Sequence, residues 1–574
     1  MIRFSTLLLA TTLLATPIAA QQPQFSGARM EATVKEISDD RYQGRGPATP
    51  GEKMTIDYMV KQLQAAGVQP GGELVNGKRQ WTQRVPLLKS DIVGDPIFTV
   101  QTGKTNYRLQ QTADIAVRAP MNGSNQIRIT GAPLVFAGYG TSAPERQWDD
   151  FKGQDVKGKI LVVLINDPDF EGGEGDFGGK AMTYYGRWTY KYEEAARRGA
   201  AGVMIVHETE PASYGWNTVK NSNANTMFDI VRQNPAAAHT PFESWITLDT
   251  AKKIFADAGL DFDQMKAAAR RKNFRPVDLK ATLGATANAK TETITSYNVV
   301  GLLPGKTRPD ETIIYSGHYD HIGVGAPDAN GDTIYNGAVD NATGIAHVLE
   351  QARTFAKEPR TDRSIVFLAV TAEEKGLLGT EYYVSNPLYP LEKTVAVLNT
   401  DSMGVNGPAR NFSISGTARL ELLDRLIASA QTQGRSFTPD PRPEAGGFFR
   451  SDHFPFAKRG VPAVSFRAGN DLVNGGTERG NALAAEYTEK RYHQQDDEYQ
   501  PGWDFSGMVQ DAQLLHMVGR DLANSTAWPN WSPDSEFRAT RDQSASQRGG
   551  LVDPESRVDT PVPAAEQPDV GERG

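Results

Sequence analysis

TIIYSGHYD, at residues 312–320, sets a short β-prone run directly against His318 and Asp320. The arrangement recurs twice downstream. SIVFLAV at 364–370 runs into Thr371-Ala372-Glu373-Glu374, and TVAVLNT at 394–400 runs into Asp401. A fourth short run, AVSF, occupies 463–466. Apolar runs of this length, bounded by turn signals, suit buried strands. Between and after them, residues 342–356, 419–433 and 505–522 carry apolar positions at helical spacing. Strands alternating with helices predict an α/β fold with a mixed, largely parallel sheet flanked by helices. Ligands of open α/β sheets gather at the carboxyl ends of the strands. Three strand ends therefore deliver His318, Glu374 and Asp401 to one edge.

Two loops add candidates. Asp340 lies in AVDNATG at 338–344, and His493 in RYHQQD at 491–496. The set is then two imidazoles and three carboxylates. The chain has no cysteine, so any zinc must be held by His, Asp and Glu, and this donor set suits it. Two ions clamp a hydrolytic water and a substrate oxygen. Asp340, a short side chain on a loop, is placed to bridge them. Taken singly, Asp340 suits a helix cap, His318 a structural histidine and Glu373-Glu374 a solvated pair. Taken together at strand ends they point to a metal site, one glutamate binding metal and its neighbour acting on water. Asp320, two residues after His318, is positioned to accept the imidazole's other N–H. His207 and His239 lack ligand-like neighbours in sequence.

The words HYD (318–320), AVDNATG (338–344), TAEEKGLLG (371–379), NTDSMG (399–404) and YH (492–493) resemble the co-catalytic dizinc aminopeptidases of metallopeptidase family 28. That family also holds glutamate carboxypeptidase relatives and the transferrin receptor. The resemblance implies a zinc-exopeptidase-like fold, two Zn²⁺ per chain, and peptide substrates with a free N-terminus. It implies that His318 and Asp401 complete one metal's ligands, Glu374 and His493 the other's, with Asp340 shared. Glu373 would be the general base and Tyr492 a donor to the developing oxyanion. RSDHF (450–454) and GVPA (460–463) also fit the family; there His453 is not a ligand, and Arg450 is a weaker candidate for substrate contact. His321 and His347 read as structural, because the five-ligand set is complete. The words FAGYG (136–140), DDF (149–151) and DVKGKI (155–160) resemble the β-rich protease-associated domain inserted in many such peptidases.

A chain of 574 residues exceeds a single core, so several domains are expected. Residues 1–20 read as a signal peptide, with Arg3, an apolar core at 7–14 and a PIAA cleavage site. Residues 21–124 are then the N-terminal part of the peptidase domain, 125–290 the inserted domain, 291–527 the catalytic domain and 528–574 a disordered tail. A helix is expected at 53–66, stopped by Gly67. The signal peptide implies export to periplasm or medium, and the mature chain has no stretch long and apolar enough to span a membrane. A net charge of -8 without a dense basic run argues against a nucleic-acid partner. Three alternatives remain: a glutamate carboxypeptidase-like dipeptidase, needing basic residues that the sequence does not place; a glutaminyl cyclase; and a non-catalytic receptor-like module, which normally lacks ligands. The preferred N-terminal residue and the oligomeric state stay open.

Overall fold

The computed structural model describes residues 24–172 and 175–548. The leader expected at 1–20 lies outside the described residues. Four strands, Ala463–Ala468, Thr394–Thr400, Arg308–His318 and Arg363–Val370, lie side by side in that order and run parallel. Antiparallel neighbours flank them: Asn411–Ile414 on one side and the end of the long Val277–Leu303 strand on the other. Every residue of Arg363–Val370 and of Thr394–Thr400 is buried, which is why their centres, Ile365 to Val370 and Val395 to Leu398, read as continuous apolar runs rather than alternating ones.

Helices cover both faces. Gly27–Ile37, Pro50–Ala66, Thr343–Lys357 and Ser506–Asn524 enclose the larger core. Leu378–Ser385 and His453–Lys458 close the other face around Val366, Leu368, Val397 and Phe456. Pro50–Ala66 begins three residues before the expected start. Thr49 caps it by accepting the Glu52 N–H, and Pro50 occupies the first turn. Gly67 ends it in the left-handed region, at φ 82°.

The strands Thr82–Thr102 and Val277–Leu303 pair antiparallel from Thr82↔Val299 to Thr102↔Ala281 and run out of this half into a second one. There Gln126–Phe136, Ile160–Leu164, Gly202–Val206 and Phe242–Ile246 form a parallel array closed by antiparallel Ile115–Val117. One of its cores includes Phe98, Val100, Leu109 and Val117. The second half thus draws on residues before 125, because the long ribbon carries them into it.

The expectation of disorder from residue 528 is corrected for 528–548. Trp531 is 1% exposed and its indole donates to Gly460 O at 3.0 Å. Phe537 packs on it at 5.0 Å, and buried Arg541 donates to Thr394 O at 3.1 Å. The segment has few apolar residues, but they face inward. Residues 549–574 lie outside the described residues. Among the described residues no helix is long and apolar enough to cross a membrane.

Candidate active site

The parallel strands end as the sequence pattern predicts, and their last residues converge. His318 Nε2 lies 3.2 Å from Asp340 Oδ1 and 3.4 Å from Asp401 Oδ1. On the far side, His493 Nε2 lies 3.2 Å from Asp340 Oδ2 and 3.2 Å from Glu374 Oε2. Asp340 thus turns one oxygen toward each group. Donor atoms of His318, Asp340 and Asp401 lie within 4.8 Å of one another, and so do those of His321, Asp340 and Glu374. His321, read from sequence as structural, is fully buried with Nδ1 2.7 Å from Glu374 Oε1. The second group therefore offers two imidazoles.

The loops are braced by neighbours. Asn341 Nδ2 donates to His318 O at 3.2 Å and Thr400 O at 3.1 Å. Its Oδ1 accepts the N–H groups of Gly344 and Ser402, at 2.9 and 3.1 Å. The capping role considered for Asp340 belongs to Asn341, which frees the Asp340 carboxylate. Gly344 is required there, since a Cβ would come within 2.3 Å of Asn341 Oδ1. Asp497 Oδ1 and Oδ2 accept the N–H groups of Val339 and Asp340, each at 3.0 Å. This ties the His493 loop to the Asp340 loop. Ala372, Ser402 and His493 hold positive φ of 52°, 55° and 60°. Strain of this kind collects at functional sites.

Asp320 acts differently from the expectation. His318 Nδ1 faces the Asp320 carbonyl at 3.1 Å, while the carboxylate stands 3.8 Å away. That carboxylate instead accepts the N–H groups of Glu373 and Glu374, at 3.1 and 3.4 Å. A spacing of two residues places both acceptors near the ring, and sequence does not distinguish them. Glu52, reached from the Pro50–Ala66 helix, accepts from Ser296 Oγ, from Tyr319 Oη at 2.9 Å and from Thr371 Oγ1 at 3.3 Å, beneath the same turns.

Crowding of charge sets the electrostatics. Burial opposes ionisation of His493, but Asp340 and Glu374 outweigh it and raise the imidazole to about 10. Burial also opposes a charged His318, yet Glu373, Asp340 and Asp401 hold it well above the usual range. Burial would raise Glu374, as would the charge of Asp340, but His321 and His493 bring it down to about 2. Glu373 goes the other way: burial lifts it well above the carboxylate range, with Glu374, Asp401 and Asp452 adding to the lift. Two adjacent acids pushed apart in this way suit different roles, one ligand and one base.

Tyr492 is 45% exposed, its ring stacked on His493 at 3.9 Å. Arg450 is exposed and donates to Ala445 O at 2.9 Å and Ser213 Oγ at 3.3 Å, toward the second half of the molecule. His453 and His347 are both buried and lowered to about 3 by burial; neither joins the donor groups. His239, which lacks ligand-like neighbours in sequence, sits between Glu243 and Asp229, each 3.0 Å from an opposite ring nitrogen. Facing opposite ways, those carboxylates form an ion pair with the ring rather than a chelate.

Residues 298–517 match Peptidase family M28. The chain is 35% identical over 123 residues to a probable zinc metalloprotease of Pyricularia oryzae, covering 21% of this chain and 24% of that protein. It is 29% identical over 174 residues to aminopeptidase YwaD of Bacillus subtilis, covering 30% of this chain and 35% of that protein. It thus spans about a quarter of the length of the first of these relatives. Among solved structures, an aminopeptidase from Aneurinibacillus sp. strain AM-1 aligns with a TM-score of 0.46 at 18% identity, covering 87% of this chain and 94% of that one.

Proposed function

From the premise that this chain carries a peptidase family M28 domain at residues 298–517, we propose that it is an exported zinc exopeptidase. It acts as an aminopeptidase, releasing N-terminal residues from peptides with two Zn²⁺ ions. The observation that carries this reading is Asp340, with His318 3.2 Å from one oxygen and His493 3.2 Å from the other. A carboxylate so placed would serve both donor groups if each held an ion. The donor set of imidazoles and carboxylates fits Zn²⁺. Glu374 and His321, buried side by side with Oε1 and Nδ1 2.7 Å apart, offer a carboxylate and an imidazole to the same ion.

His318, Asp340 and Asp401 would hold one ion; Asp340, Glu374 and His493 would hold the other. When bound, the ions supply Lewis-acid polarisation of the scissile carbonyl and lower the pKa of water. Glu373 accepts a proton from the attacking water on its carboxylate and later returns it to the leaving amine nitrogen. Its N–H is held by Asp320, which fixes where that carboxylate starts. The Tyr492 hydroxyl donates to the oxyanion. The surrounding carboxylates favour a substrate's free ammonium and so select an N-terminus. We read the half around 125–290 as a protease-associated domain flanking the site.

One observation favours a second reading, an acidic-dipeptide carboxypeptidase. Arg187, lowered to about 10 by burial and then by the charge of Arg450, and Arg450 itself form no ion pair among the described residues. The test is hydrolysis of aminoacyl-arylamides, N-blocked peptides and dipeptides ending in glutamate, with and without chelator. Chelator-sensitive cleavage of free but not blocked substrates supports the aminopeptidase. Cleavage of blocked acidic dipeptides moves the assignment to the carboxypeptidase, and no cleavage of any substrate overturns both.

A further inference from the structure

Arg45 lies outside the matched region, far upstream of every candidate ligand, yet it is 0% exposed beneath them. Among the described residues no carboxylate hydrogen-bonds to it. Its guanidinium donates to four backbone carbonyls instead: Nε to Tyr319 at 2.8 Å, Nη1 to Ile37 at 2.8 Å and Asn336 at 2.5 Å, and Nη2 to Gly337 at 2.8 Å. Tyr319 sits between His318 and Asp320. Asn336 and Gly337 lead into Asp340. One side chain therefore spans the turn that carries the first imidazole and the loop that carries the shared carboxylate.

The backbone around it is strained. Gln43, Gly44 and Arg45 have successive φ values of 49°, 61° and 54°. A Cβ on Gly44 would come within 2.5 Å of both Gly323 O and Tyr335 O, so this turn is pressed into the short antiparallel pair Gly323–Val324 and Ile334–Tyr335, which precedes the Asp340 loop. Burying a charge is costly unless its hydrogen bonds are met. Here they are met by main-chain groups of the two ligand-bearing segments, with Asp497, Asp320, Asp340 and Glu374 supplying counter-charge. A lysine has no planar fork to reach these carbonyls together.

We propose that Arg45 is a positioning residue for the metal site: its fork fixes the separation of the His318 turn from the Asp340 loop, and its cation offsets the carboxylates gathered above. The inference rests on reading His318 and Asp340 as zinc ligands. It makes the N-terminal segment part of the catalytic apparatus rather than only part of the scaffold.

The experiment uses the full chain as wild type, Arg45→Lys and Arg45→Ala. Zn²⁺ affinity is measured by competition with a chromophoric chelator, well below the unfolding temperature of each metal-free protein. Both substitutions are expected to weaken Zn²⁺ binding by roughly 10–100-fold, and to lower kcat on an aminoacyl-arylamide more than they raise KM. Millimolar guanidinium should restore part of the affinity of Arg45→Ala and none of that of Arg45→Lys. If Arg45→Ala does not fold, Arg45→Lys decides. Lower unfolding temperatures with unchanged Zn²⁺ affinity would reduce Arg45 to a stability role and overturn the proposal. A wild type that binds no zinc would overturn the metal reading and this inference with it; a zinc-binding wild type matched by its variants would overturn this inference alone.

Discussion

The carboxylate of Asp320 accepts the backbone N–H of Glu373 at 3.1 Å. The second oxygen takes the N–H of Glu374 at 3.4 Å, so one side chain fixes the main chain of the proposed base and the proposed ligand together. Asparagine at 320 would turn an N–H₂ donor toward one of those N–H groups. Asp320→Asn is expected to lower kcat by roughly 10–100-fold while zinc content stays near wild type. Steady-state kinetics with metal analysis of the same samples check this; an unchanged kcat removes Asp320 from the site.

Glu373→Gln keeps the shape of the side chain and removes its capacity to take a proton. Zinc content should hold at two per chain while kcat falls by about 10²–10⁴-fold. Wild-type turnover in this variant would mean that another group is the base.

Asp340 touches both histidines, whereas His493 touches one group only. Asp340→Ala is therefore expected to lose both metals, and His493→Ala to keep one. His321, 2.7 Å from Glu374, belongs to the same half as His493, so His321→Ala should weaken that metal alone. Elemental analysis after dialysis distinguishes these outcomes; equal losses in all three variants would contradict the shared carboxylate.

His239 gives a pH dependence with a definite sign. Burial lowers its affinity for a proton, but Glu243 and Asp229 outweigh this and raise it to about 9. Arg118 pairs with Glu243 and Arg232 with Asp229, at 3.2 and 2.7 Å, so cations also face the cluster. With a folded pKa above the unfolded value of about 6.5, its stabilisation is fully present below that pH and is lost as pH rises through 9. His239→Gln should cost on the order of 2 kcal/mol near pH 6 and almost nothing above pH about 10. Denaturant titrations at the two pH values test it, and a pH-independent difference would count against the ion pair.

Trp531 fills a fully enclosed position against Phe448 and Phe537. Trp531→Ala should destabilise the fold by about 3–5 kcal/mol without changing zinc affinity in the folded protein. A thermal midpoint equal to wild type would mean that the 528–548 segment does not pack in solution.

The strand ends were legible because each pairs a mostly apolar run with a following residue that can ligate or titrate, as Thr394–Thr400 does with Asp401. The helices at Pro50–Ala66 and Thr343–Lys357 followed from spacing and from Gly67. Contacts that join distant parts of the chain were not legible. Arg45 meets Tyr319 across 274 residues, and no local period records that meeting. His239 finds Asp229 ten residues back only because two segments fold beside each other. Asp497 carried a usable signal: an acid four residues after His493, in a chain that already placed His493 at the site. The 528–548 segment was misread because three aromatic anchors, Trp528, Trp531 and Phe537, hold a stretch whose average composition is polar.

The ribbon made by Thr82–Thr102 and Val277–Leu303 also imposes an order in time. Ser90 pairs with Thr291, and Val85 with Ser296, so the first strand, held early only at its far end by Asn106–Leu109 and later by Met227–Ile230, waits for its long partner until about two hundred further residues have been synthesised. The parallel array of the second half closes entirely within that interval. Assembly of the metal-site half, dominated by contacts between distant residues, is then the slow and late step. A chain stopped at residue 303 is expected to protect the amides of Ile160–Leu164 and Gly202–Val206 from hydrogen exchange and to leave Gly27–Ile37 unprotected. The proposed peptidase activity would then arise only after the later strands are in place.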